Sequence, residues 1–217
     1  MTTLVLIAKE TIPGRVKTRL HPPLTLEQAA ELAAAAIADT LEAVSELPAT
    51  RRVLLFEGNL LPPGSEHYDV ITQVPGDLDA RLGAMFDEVE GPTVLIGMDT
   101  PQVSAADLAP AFEAWPDDVD AWFGPANDGG FWCLGLADAR DGRPRGDLLR
   151  GIPMSRADTG EHQLRRLERA GLAVRMLPTL TDVDTIDDAT EVAATAPGSR
   201  FARTLSRFTD TTPKDRL

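Results

Sequence analysis

Two short segments constrain the fold more than anything else in the chain. Residues 3–8 and 93–98 are continuous apolar runs with strong strand character. A strand that is apolar on both faces must be covered on both faces, which is how a strand at the centre of a parallel sheet reads. Parallel neighbours require crossover connections long enough to hold a helix, and the sequence supplies them. Thr25 and Gln28 have capping-box spacing before an alanine-rich run that continues to Leu47 and stops at Pro48. Residues 52–56 and 68–74 read as strands, and residues 78–89 carry helical periodicity. Ser104 is placed to cap a helix running to about Trp115. Residues 121–123 and 131–136 read as strands around a glycine-rich turn, Thr159 as the cap of a helix through Ala170, and residues 173–177 as a late strand. Thr185 and Asp188 have capping spacing for a final helix before Pro197. No repeat or linker interrupts this order, so a single domain over residues 1–208 is expected, with a loose polar tail at 209–217.

Composition narrows the function. The chain has 217 residues and a formal net charge of −13, the wrong sign for a general nucleic-acid-binding surface. The first apolar run is too short for a secretion signal and no stretch reaches membrane-spanning length, which points to the cytoplasm and away from a membrane. The one cysteine, Cys133, lies in an apolar run and reads as a buried structural thiol. Positive charge is concentrated in one place: Lys9, Arg15, Lys17 and Arg19 fall in the loop after the first strand. A basic cluster in an acidic protein suits an anionic ligand. A solvated basic loop accounts for it equally well on composition alone.

Four segments carry chemistry. AKETIPGRVKTRL, residues 8–20, runs from a strand into a loop with a Pro-Gly turn and spaced cations, but lacks the Walker spacing of glycines and lysine. Ligands in parallel α/β sheets bind at the carboxyl ends of strands, so backbone N–H groups and cations there are placed to hold phosphates. In IGMDTP, Asp99 follows directly on a buried strand; it suits a hard divalent cation, and it equally suits a turn with Pro101 at its second position. GPANDGGFW, residues 124–132, holds Asp128-Gly129-Gly130, where backbone can approach a ligand closely, or where a hairpin simply turns. TDVDTIDD, residues 181–188, places Asp182 and Asp184 on one side of an extended segment, while Asp187 and Asp188 fit a helix start enriched in acids.

Taken in order, AKETIPGRVKTRL, IGMDTP, GPANDGGFWCLGL and DVDTIDD resemble the bacterial nucleotide-diphospho-sugar transferase-like family, often labelled as glycosyltransferases of the arsenosugar, or radical-SAM and selenodomain-associated, kind. The matches reach from Ala8 to Asp188. A weaker match is Gln73 with Gly76-Asp77-Leu78 and Arg81-Leu82, where Asp79 stands in place of the glycine expected in that family. The first and last segments are also distantly similar to the guanylyltransferases of deazaflavin cofactor synthesis. The resemblance implies a glycosyltransferase-A fold, a three-layer α/β/α arrangement on a mainly parallel sheet, with the nucleotide at the N-terminal half of the sheet.

The expected reaction is nucleotidyl transfer: an anionic acceptor attacks the α-phosphorus of a nucleoside triphosphate and pyrophosphate leaves. Glycosyl transfer from a nucleotide-diphospho-sugar is the alternative, and non-catalytic nucleotide binding a third. Ala8, Lys9, Arg15, Lys17, Arg19, Gln73 and Arg81 are the expected nucleotide and phosphate contacts. Asp99, Asp182 and Asp184 are the expected ligands of Mg²⁺ or Mn²⁺, and Thr100, Asp128, Gly129 and Gly130 the expected acceptor contacts, with Lys17, Asp99 and Asp128 catalytic. The partners are then a nucleotide and a small-molecule acceptor.

Overall fold

A computed structural model describes residues 2–113, 115–139, 142 and 144–209. Seven strands form one sheet: β1 (Thr3–Lys9), β2 (Arg51–Glu57), β3 (Asp69–Thr72), β4 (Thr93–Gly97), β5 (Ala121–Pro125), β6 (Phe131–Leu136) and β7 (Val174–Met176), in the order β3-β2-β1-β4-β6-β5-β7. All neighbours are parallel except β6, which runs antiparallel to both β4 and β5. The two apolar segments singled out from the sequence, β1 and β4, lie side by side in the middle.

Period-two alternation divides the strand side chains between two cores. Leu4, Leu6, Leu54, Phe56, Val94 and Ile96 face helices α1 (Leu26–Ala43) and α3 (Ala105–Phe112). Val5, Val53, Leu55, Leu95, Phe123 and Leu134 face α2 (Leu78–Glu88) and α4 (Thr159–Arg169). This is the expected three-layer glycosyltransferase-A arrangement. Helices α5 (Ile186–Thr195) and α6 (Arg200–Thr209) pack on the far side of α1, through Leu32 and Ala36 against Val192, Phe201 and Leu205.

Capping chemistry starts the helices where the sequence places them. Thr25 with Gln28, Ser104 with Asp107 and Thr185 with Asp188 all form reciprocal capping boxes. Thr159 does not cap α4: it is the first helical residue, and its hydroxyl accepts from the Arg156 N–H at 3.0 Å and donates to the Pro153 carbonyl at 2.8 Å. Helix α3 stops three residues short of Trp115, because Glu113 already takes extended backbone. Helix α6 is absent from the sequence reading, which ends the last helix before Pro197. Its signal is nevertheless there: Phe201, Thr204, Leu205 and Phe208 recur at helical spacing. Asp39 of α1 anchors it, accepting from the backbone N–H groups of Arg200 at 3.1 Å and Phe201 at 2.7 Å. Phe201 is buried against the protein's own core, and Phe208 packs at the edge of the same cluster. The expected loose tail lies outside the described residues from 210 onward. Cys133 is fully buried, and burial pushes its thiol far up. Among the described residues no helix is long and apolar enough to cross a membrane.

Candidate active site

Topology brings the four segments together. Strands β1, β4, β5 and β7 run parallel, so their carboxyl ends share one edge, and antiparallel β6 starts from that edge. The β1 loop, the turn after β4, the β5–β6 hairpin and the chain leaving β7 therefore meet there. Backbone bonds fix the meeting: Val183 N–H donates to the Asp99 carbonyl at 3.0 Å, and Asn127 N–H to the Leu180 carbonyl at 3.0 Å.

At the centre is Lys17. Its ammonium lies 2.7 Å from Asp99 Oδ1 and 3.6 Å from Asp184 Oδ1, and it donates to the Val183 carbonyl. Burial would push this lysine down, but the charge of Asp99, joined by Asp182 and Asp184, holds it above its ordinary value. Arg19 pairs with the other oxygen of Asp184 at 2.5 Å.

Asp128, Asp182 and Asp184 form a carboxylate trio whose nearest oxygens all lie within 4.8 Å of one another. Burial raises Asp182 to about 7, against the lowering charge of Lys17 and with Asp99, Asp184 and Asp128 pushing further up. All the donors are carboxylate oxygens, brought from two separate segments, which fits a hard divalent cation. The trio differs from the expected set of Asp99, Asp182 and Asp184: Asp128 takes the third place, and Asp99 is engaged by Lys17.

The remaining expected residues divide clearly. Lys9 and Arg15 are exposed cations on the rim without an ion-pair partner among the described residues. Gln73 is locked in place: its amide N–H groups reach the carbonyls of Ala8 at 2.9 Å and Leu55 at 3.2 Å, and its oxygen accepts from Arg81 at 2.9 Å. It braces the end of β3 against β1 and β2, with both amide hydrogens committed to backbone carbonyls. Ala8 is likewise buried. Arg81 also holds Glu57 at 3.1 Å. Asp79, unusual for its position, accepts from the Gly151 N–H at 2.7 Å.

Thr100 is only 1% exposed, so it lies beneath the site and not on a surface an acceptor touches. The Gly129 and Gly130 N–H groups are already engaged, by the Ala126 carbonyl at 3.1 Å and by Asp128 Oδ1 at 2.8 Å. These glycines make a hairpin turn and admit the protein's own backbone: a Cβ on Gly129 would sit 1.9 Å from the Ala157 carbonyl oxygen. Sequence reasoning gave no role to Asn127 or Gln102, which tie the hairpin and the β4 turn to Thr181 at 2.8 Å and 2.7 Å. Asn127 next to the aspartate of the turn was the available signal.

A mainly parallel sheet with one reversed strand and flanking helices, with a cluster of charged residues at its carboxyl edge, defines a glycosyltransferase-A type α/β protein. The chain belongs to the bacterial family described as "Uncharacterized protein conserved in bacteria (DUF2064)", which matches over residues 30–156. That range includes Asp99 and Asp128 and excludes Lys17, Asp182 and Asp184. Among solved structures the chain is similar to a putative nucleotide-diphospho-sugar transferase from Desulfovibrio desulfuricans G20, with 27% identity, a TM-score of 0.80, and coverage of 96% of this chain and 94% of that one. It shares its fold with Rv0371c from Mycobacterium tuberculosis H37Rv in complex with manganese, at 22% identity, TM-score 0.54, and 88% and 96% coverage. It also shares it with a CMP:2-keto-3-deoxy-manno-octonic acid synthetase complexed with CTP, at 12% identity, TM-score 0.54, and 91% and 98% coverage. A search of curated proteins returned no match.

Proposed function

We propose that this protein is a divalent-metal-dependent nucleotidyltransferase. An oxygen of an anionic acceptor attacks the α-phosphorus of a nucleoside triphosphate, the bond from that phosphorus to the β-phosphate oxygen breaks, and pyrophosphate leaves. The observation that carries this reading is the pairing of two rim cations, Lys9 and Arg15, that have no ion-pair partner among the described residues, with an acidic centre on the same sheet edge. The cations suit phosphates and the carboxylates suit the metal that accompanies them. Reaction of this kind needs positioning and charge neutralisation more than covalent help.

Asp128, Asp182 and Asp184 are the residues that would hold Mg²⁺ or Mn²⁺, with Asp99 available once Lys17 leaves it. The metal would supply neutralisation of charge on the phosphates. Lys9, Arg15 and Lys17 would hold the leaving pyrophosphate, with Arg19 beside them. Arg81 and Gln73 would support the nucleotide from below by bracing the strand ends. Manganese and CTP in structures of this fold are consistent with the reading.

Glycosyl transfer is the second reading, favoured by the 27%-identical neighbour described as a putative nucleotide-diphospho-sugar transferase. A thermal-shift titration separates the two. The ligands are each nucleoside triphosphate and each common nucleotide-diphospho-sugar, with Mg²⁺, with Mn²⁺ or with a chelator. One triphosphate should raise the melting temperature in a metal-dependent way, and Asp184→Asn should remove the metal dependence. Metal-dependent stabilisation by a diphospho-sugar alone would transfer the case to glycosyl transfer.

A further inference from the structure

The ammonium of Lys17 already lies among the carboxylates proposed for the metal. The side chain is 8% exposed, and its nitrogen is surrounded by Asp99 Oδ1 at 2.7 Å, Asp184 Oδ1 at 3.6 Å and the Val183 carbonyl. These are hard oxygen donors around a compact point charge. One of them, Asp184, also belongs to the trio with Asp128 and Asp182. A cation on Asp184 therefore faces both sets, and lysine and metal compete for it.

The lysine is delivered there by an anchored loop. Val16 before it and Leu20 after it are buried in the core. Its backbone is left-handed at φ 46, a conformation that costs a non-glycine residue about 1 kcal/mol. Any change of partner therefore falls to the long side chain and not to the backbone. Lys9 and Arg15 on the same segment mark where phosphates would arrive, and phosphate oxygens offer the ammonium an alternative partner.

We propose that Lys17 is a resident stand-in for the divalent cation: it neutralises Asp99 and Asp184 in the free protein and gives them up to the metal when nucleotide phosphates take its ammonium. The inference rests on the nucleotide-and-metal reading above. It makes metal and nucleotide binding mutually cooperative, because each removes the obstacle to the other. A purely structural lysine behaves in the opposite way. Its removal would leave the half-buried carboxylates of Asp99 and Asp184 facing each other unneutralised, disorder the acidic centre and weaken metal binding.

The test is Mn²⁺ binding, followed by the electron-paramagnetic-resonance signal of free Mn²⁺, on the intact protein and on Lys17→Met. Each is titrated without nucleotide and then with a non-hydrolysable triphosphate analogue. The wild type should bind Mn²⁺ weakly alone and more tightly with the analogue. Lys17→Met should bind Mn²⁺ alone about tenfold tighter than the wild type, and the analogue should improve it by a smaller factor than it does in the wild type. Equal or weaker Mn²⁺ binding by Lys17→Met overturns the proposal. If Lys17→Met is unfolded in metal-free buffer, Mn²⁺ should restore its circular-dichroism signal by replacing the missing charge, and failure to do so overturns the proposal equally. If Lys17→Met gains Mn²⁺ affinity while neither protein binds any triphosphate, the exchange of lysine for metal stands and the nucleotide reading falls.

Discussion

Lys17 and Arg145 are both cations drawn into the protein, at opposite ends of the sheet, and their surroundings differ in kind. Arg145 is 8% exposed beside the amino end of β4. Its guanidinium donates to the carbonyls of Phe86 at 3.2 Å, Gly91 at 2.6 Å and Ala137 at 3.2 Å, and to that of Val89. Three of these belong to the end of α2 and the turn after it, where helices leave carbonyls without partners. Every hydrogen-bond acceptor among the described residues is neutral and the planar donor array matches them, while the charges of Asp138 and Asp87 act on the guanidinium without bonding it there. Lys17 sits among carboxylates instead, and with Arg19 it meets an excess of negative charge from Asp99, Asp128 and Asp184, to which Asp182 adds once it ionises near pH 7. A buried cation fully matched by neutral acceptors closes a structure. One surrounded by surplus anions leaves room for more positive charge, which is the condition for binding a metal.

The comparison breaks most visibly at Arg145. Arg145→Met removes the donors and leaves several buried carbonyls unpaired, each worth about 1–3 kcal/mol. With partial relaxation, a loss of about 4 kcal/mol in urea unfolding is expected. Below its melting temperature the variant should bind Mn²⁺ and nucleotide as the wild type does. Altered metal affinity would show that the two ends of the sheet are coupled and not independent.

Asp182 gives the next largest effect, and it acts through pH. Burial raises its folded value to about 7 from an ordinary 3.8. Between those values the folded protein holds a proton that the unfolded chain has released, so stability falls as pH rises through that window and levels off above it. At about 1.4 kcal/mol per unit, and allowing for partial solvent access, the fall is about 3 kcal/mol. Asp182→Asn should flatten the profile, and saturating metal should flatten it in the wild type. A slope that survives the substitution would assign the charge excess to another carboxylate.

How much of this was legible in the sequence follows from the range of the interactions. The β1 and β4 runs and the capping boxes at Thr25, Ser104 and Thr185 are local patterns, and they place the elements. The shared edge of β1 and β4 follows from the parallel reading of the first half, so the meeting of the basic loop with Asp99 was foreseeable; that β5 and β7 bring Asp128 and Asp184 to the same edge is fixed by the sheet order. Which carboxylate Lys17 engages was not foreseeable. That depends on where a left-handed residue in a loop aims its side chain, and 82 residues separate Lys17 from Asp99. Gly129 shows the same limit. Its need for close backbone approach is readable, but that the approaching group is the Ala157 carbonyl is a tertiary fact.

Gly129 also sharpens the contrast, since here a structural device carries a site residue. Its φ is 86, and an added Cβ would collide with Ala157. Gly129→Ala should cost about 2 kcal/mol from strain and forced displacement. Because Asp128 is held by the Gly130 N–H in the same turn, Mn²⁺ affinity should fall as well. Destabilisation with unchanged metal affinity would remove Asp128 from the ligand set.

The smallest effect is expected at Thr185, where architecture and site are one residue apart. Its hydroxyl caps α5 by accepting from Asp188 N–H at 3.3 Å and donates to Asp188 Oδ2 at 2.8 Å. Asp188 Oδ2 also accepts from the backbone N–H groups of Thr185 at 2.7 Å and Asp184 at 3.2 Å. The capping box therefore fixes the start of the helix and the backbone from which the Asp184 carboxylate projects. Thr185→Ala should cost about 1 kcal/mol of stability, the usual loss of an N-cap. If the cap serves the helix alone, Mn²⁺ affinity measured at low temperature will not change. If it also positions Asp184, affinity will drop by a factor beyond what the stability loss explains, and adding Mn²⁺ will stabilise the variant less than it stabilises the wild type.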